Sequence, residues 1–139
     1  MSAVPMSPPV PYQARELLGS AARGLLEAYA TPDPARRYAT AHLAALRAAA
    51  AVLAARAHPV RQSGRIRSVW ALLPVVAPQM QEWAVFFAAN ATKRAAADAG
   101  LPVVSQWEAD DLVRDAESFL VQVAAAIGID QQAILPNEF

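Results

Sequence analysis

The chain contains no cysteine. Disulfide frameworks, thiolate metal ligands and cysteine nucleophiles are therefore excluded. Histidine is nearly as rare: His42 and His58 are the only two, too few for a histidine-based zinc site without carboxylate help. The five glycines are scattered, and no glycine-rich phosphate loop, G-x-S-x-G elbow or H-E-x-x-H pair is present. Those gaps remove most familiar enzyme classes and imply no cofactor. Neither sign of charge is in excess, because twelve Lys and Arg balance twelve Asp and Glu. A dedicated nucleic-acid binder is usually basic, so general phosphate affinity is not the default. No uninterrupted apolar run approaches the roughly 18 residues of a membrane span. The opening MSAVPMSPPVP has no basic stretch leading into an apolar one, so it does not read as a signal peptide. These absences point to a cytosolic protein with no membrane partner.

What the chain does have is helix formers. It is 55% hydrophobic but only 7% aromatic, so Ala, Leu and Val carry the apolar share. Its 139 residues suit one domain with a real core, and the composition predicts an all-α antiparallel bundle. The organising stretch is Pro34 to Ala57. Asp33 can cap its first turn, and Pro34 has no amide to lose at the first helical position. Tyr38, His42, Ala45, Leu46, Ala49, Val52 and Leu53 fall on one stripe, and the alanines allow close neighbours. This is the expected central helix, ending near His58–Pro59.

Around it, residues 1–11 read as a flexible proline-rich arm and 129–139 as a tail, leaving 12–128 as the bundle domain. A first helix spans Tyr12 to about Ala30, with Leu17, Leu18, Ala21, Leu25, Ala28 and Tyr29 on its apolar face. After the polar loop VRQSGRIR, Ser68 can cap a short helix that Pro74 kinks or stops. Pro78 starts a longer helix to about Ala99, with Gly100 as its C′ residue. Ser105 and Glu108 fit a capping box for the last helix. Its buried stripe is Leu112, Ala116, Phe119, Leu120, Val123 and Ile127, and Gly128 ends it. The total is four main helices and one short one.

Few residues carry chemistry. His42, inside an apolar stripe, suits either a general acid or base near neutral pH or a buried structural role. Asn90 and Arg94 continue the aromatic stripe of Met80, Trp83 and Phe87, and can meet His42, an acid of the last helix, or a ligand; equally, Arg94 can run out to water. Arg61, Arg65 and Arg67, with Arg56 and His58 nearby, form the only concentrated positive patch, which suits phosphate, an acidic partner or plain solvation. Asp111 and Asp115 lack a third ligand, so no metal site is expected. Trp107 points away from its helix's buried stripe and marks a contact surface. Trp83, Phe87 and His42 can also frame a small-molecule sensor pocket.

The segments RYATAHLAALRAAAAVLAARA, SVWALLPVVAP, EWAVFFAANATKRAAADAG and EADDLVRDAESFL together resemble a family of small actinobacterial HEPN-domain proteins, over roughly residues 12–127. That resemblance implies a helical bundle, a homodimer, and for many members a metal-independent RNase using an Arg and a His four to six residues apart near the start of a late helix. Arg37-Tyr-Ala-Thr-Ala-His42 is the one formal match, but it lies in the second helix. Its five-residue offset turns the two side chains about 140° apart. The leading expectation is a non-catalytic binding or assembly module, linked to stress, defence or nucleic-acid metabolism, with a second copy or another protein as partner. The alternative is an RNase acting on RNA through His42 with Arg37 or Arg94.

Overall fold

The computed structural model describes residues 10–56, 61–62, 65–66 and 68–129. In chain order the elements are α1 (Tyr12–Ala30), α2 (Pro34–Ala55), β1 (Arg61–Gln62), β2 (Arg65–Ile66), α3 (Val69–Val76), a 3₁₀ turn (Pro78–Met80), α4 (Gln81–Ala89), α5 (Ala91–Asp98) and α6 (Gln106–Ile127). The fold is all-α. Its only strands among the described residues form a two-rung antiparallel ladder, Arg61 opposite Ile66 and Gln62 opposite Arg65.

Local sequence fixes most helix ends. The Asp33 carboxylate accepts the Arg36 amide at 3.0 Å, with Pro34 at the first helical position. Ser105 and Glu108 exchange amide bonds at 3.1 and 3.0 Å and close the capping box. Gly100 and Gly128 adopt φ of 86° and 80°. Around each, paired amides return to the last turn: Leu101 to Ala96 and Gly100 to Ala97, then Ile129 to Ala124 and Gly128 to Ala125. These are Schellman ends, which need a left-handed residue that glycine supplies without a Cβ clash.

Helix α2 is central, packing against α1, α3, α5 and α6. Ala41, Ala44, Ala45, Ala48, Ala49 and Ala51 are all fully buried, so burial extends around the helix well beyond the expected stripe. Small side chains permit this. A Cβ placed on Gly24 of α1 would lie only 3.4 Å from that of Ala44, which measures how closely those two backbones approach. By length and composition α2 could cross a bilayer, since the interruption at Arg47 does not lower its average enough, but 61% of that window is buried inside the bundle.

The scarce aromatic residues converge beside α2. Phe87 stacks with Trp70 (5.0 Å, 20°) and with Trp83 (5.7 Å, 18°). It also meets Phe86 and His42 edge-on and Phe119 at a tilt, with centroids 5.0 to 5.8 Å away. One ring therefore joins α2, α3, α4 and α6.

Several sequence expectations need correction. The helix expected from Pro78 to Ala99 is three pieces, because the chain turns at Asn90 (φ −91°, ψ 0°). Asn is a poor helix former. The Phe87 carbonyl, moreover, is shared between the local Asn90 amide at 3.2 Å and an imidazole from α2, an intrusion of the kind that breaks helices. Six α-helices result where four and a short one were expected. Helix α2 stops at Ala55, three residues early. Helix α3 runs two residues past Pro74 before stopping. Tyr29, assigned to the apolar face of α1, is exposed and donates its hydroxyl to Glu117 at 2.7 Å. That hydroxyl is pushed up to about 12 by burial of the group and by the Glu117 bond. Most of the arm and tail, together with His58, Pro59, Gly64 and Arg67, lie outside the described residues.

The Phe87 cluster predicts an asymmetry between two positions on α4. In urea titrations Phe87→Ala is expected to cost about 3–5 kcal/mol. Val85→Ala, at a 62% exposed position, should stay within about 0.5 kcal/mol of wild type.

Candidate functional site

Two regions have functional character: the polar residues of α2, and a cleft between α4–α5 and α6. His42 is 2% exposed. Its Nε2–H donates to the Phe87 carbonyl at 2.9 Å, and its ring lies edge-on to Trp70 and Phe87. Burial pulls its pKa below the ordinary histidine value, and the charge of Arg94 pulls it further, while the carbonyl bond opposes both. The result is a neutral imidazole at pH 7, enclosed by rings. Of the expected neighbours, Arg94 acts on His42 through its charge, and Asn90, at the α4–α5 break, lines the cleft.

Arg37 is turned elsewhere. Its Nε donates to the carbonyls of Thr31 (2.8 Å) and Ala28 (3.1 Å), its Nη2 to Tyr29 (3.2 Å), and its Nη1 pairs with Asp110 of α6. It caps the C-terminal end of α1, where a cation meets unpaired carbonyls and the negative end of the dipole, and ties that end to α6. Arg56 does the same at the far end of α2. It donates to Val76 at the end of α3 (2.8 Å) and to Ala126 near the end of α6 (3.4 Å). The structure does not bring Arg37 and His42 together. Arg61 and Arg65 lie on the small ladder.

The cleft has two lobes that share Phe86 and Asp115. One, of about 280 Å³, is lined by Tyr38, Asn90, Lys93, Trp107, Glu108 and Asp111 besides the shared pair. The other, of about 440 Å³, runs past Trp83, Glu82, Gln79 and Gln122. Trp107 is 69% exposed and Phe86 37%. Trp83 donates its indole N–H to Gln122 at 3.0 Å. Lys93 pairs with Glu108, which holds that carboxyl down at about 2 together with the Ser105 amide. Arg114 pairs with Asp111. Asp115 has no hydrogen-bond or ion-pair partner of its own among the described residues. Burial, then the neighbouring Asp111 charge, pushes its carboxyl up, against the lowering charge of Arg114. Buried Tyr38 on the cleft floor is pushed up by burial and by Glu108.

A model of the HEPN_SAV_6107-like HEPN family matches residues 28–124. The chain belongs to this family. No curated protein and no solved structure matches it. The matched region starts near the end of α1 and takes in α2 through most of α6, so it contains the aromatic cluster and the whole cleft.

In this HEPN domain, the cleft and the Arg56 cap were missed by residue-by-residue reading. A signal for the cleft existed: Glu108, Asp111 and Asp115 follow i, i+3, i+7 spacing on α6, beside an outward Trp107. Trp83, Phe87 and His42, expected to frame a sensor pocket, fill their shared space with ring contacts. Among the described residues no three metal-ligating side chains converge.

His42 predicts a pH dependence of known sign. Its pKa is lower folded than unfolded, so the unfolded chain binds more protons between the two values, and stability falls as pH falls through that window. Thermal melts from pH 7.5 down to 5 should show a decreasing Tm. His42→Gln, which keeps a donor for the Phe87 carbonyl but cannot titrate, should show a smaller decrease over the same range.

Proposed function

We propose that this HEPN domain is a non-catalytic binding or assembly module of the cytosol, pairing with a second copy as HEPN domains commonly do or with another protein. One observation carries the reading. Both members of its only Arg-x₄-His pair are committed to the fold, His42 to the Phe87 carbonyl inside the aromatic cluster and Arg37 to three carbonyls and Asp110. A general base needs hydrogen-bond reach of its proton, and an imidazole walled in by Trp70 and Phe87 has no such access to a 2′-hydroxyl. An arginine that stabilises a phosphorane needs donors to spare, and those of Arg37 point at helix ends. The balance of charge across the sequence also argues against phosphate backbone as the main partner.

The decisive measurement is RNA cleavage in EDTA, on structured and single-stranded substrates. Wild type is expected to leave both intact, and His42→Ala to lower the melting temperature without changing turnover. EDTA-resistant cleavage by wild type that disappears in folded His42→Ala protein overturns the proposal and makes the domain an RNase with a relocated site.

A further inference from the structure

Among the described residues, the two-lobed cleft brings together exposed aromatic surface, a carboxylate without an ion pair and a charge imbalance. Zero net charge hides an uneven distribution. The residues lining its two lobes carry four acids, Glu82, Glu108, Asp111 and Asp115, against one base, Lys93. Lys93 is matched by Glu108 and Asp111 by Arg114, which leaves Glu82 and Asp115 without an ion pair among the described residues. Asp115 stands where the lobes meet, half-buried and without a counterion of its own. Phe86 lines both lobes with it, and the 69% exposed Trp107 lies about two turns N-terminal on α6 in the smaller lobe, where an exposed Trp suits the anchoring of a partner.

We propose that this cleft docks a basic segment of a protein partner, whose Arg or Lys side chain meets Asp115 while its stem and apolar neighbours pack on Trp107 and Phe86. The inference rests on the binding-module reading and names the chemistry of the partner. Charge complementarity selects the occupant. Phosphate is disfavoured, because Lys93 is already paired and the lining charge left over is that of Glu82 and Asp115. A second copy related by a two-fold axis would set this patch against itself, bringing like carboxylates together at a cost. A guanidinium or ammonium pairs with Asp115 directly, and another side chain of the same segment packs on the face of Trp107, about two turns away along α6. A homodimer, where it forms, uses another face.

The test uses the full chain and a labelled peptide of alternating arginine and leucine, with a glutamate-for-arginine peptide as control, at low salt. Fluorescence anisotropy gives affinity, and the Trp107 indole N–H signal in an NMR spectrum gives location. The arginine peptide is expected to bind and to shift that signal. Binding should weaken about tenfold or more in Trp107→Ala and also fall in Asp115→Asn, and it should fall with added salt. Because Trp107→Ala leaves the net charge unchanged, its loss separates docking from bulk attraction to an acidic surface. Circular dichroism of both variants should match wild type. The proposal is overturned if the arginine peptide does not bind, if both variants bind as wild type does, or if the glutamate peptide binds equally. Self-association by sedimentation that Trp107→Ala abolishes also overturns it, giving the surface to a second copy. No RNA is present in this assay, so RNase activity found elsewhere would sink the module reading and leave the docking result to be judged separately.

Discussion

An imidazole N–H given to the carbonyl of Phe87 links the most buried helix of the bundle to the point where the fourth helix breaks. Without it, the buried imidazole N–H would lose its acceptor while the Phe87 carbonyl kept the Asn90 amide, and a polar group left unsatisfied in an apolar core costs about 1–3 kcal/mol. The Phe87 ring sits directly beside that bond and contacts His42, Trp70, Trp83, Phe86 and Phe119. Backbone and ring of one residue thus fix the positions of α2, α3, α4 and α6. The cleft that carries the proposed function depends on the same point, since Phe86 and Asn90 flank Phe87 and line it.

The arginines of α2 show how a chain with few charges uses them. Arg37 and Arg56 stand near opposite ends of the central helix, and each reaches the C-terminal carbonyls of neighbouring helices. Helix ends leave several carbonyls without intrahelical partners, and a guanidinium with five donors can serve several at once. These residues are fasteners between helices. The carboxylates differ, for α6 places Glu108, Asp111 and Asp115 along one half-buried row that lines the cleft.

Much of the architecture was legible in the sequence because it rests on local chemistry. Asp33-Pro34, the Ser105–Glu108 box, Gly100 and Gly128 act within one helical turn, so their residue types alone predict the ends they make. The centrality of α2 follows from its alanines. The continuous helix from Pro78 to Ala99 was misjudged because nothing local forbids it strongly. Its break answers a side chain 45 residues distant in sequence, which periodicity along one helix cannot reveal. Tyr29 was misplaced for a related reason, because its hydroxyl finds Glu117 across the α1–α6 contact.

By itself the sequence determined an all-α HEPN bundle with α2 at its centre and the absence of the common catalytic signatures, since composition, capping and periodicity are properties of contiguous residues. Only the tertiary structure decided that His42 is enclosed and neutral, that Arg37 and Arg56 are spent on helix ends, and that Trp107, Phe86 and Asp115 share a cleft. Those outcomes depend on which helices pack together and at what register. That choice is made by summed burial over the whole core, and no single segment carries it.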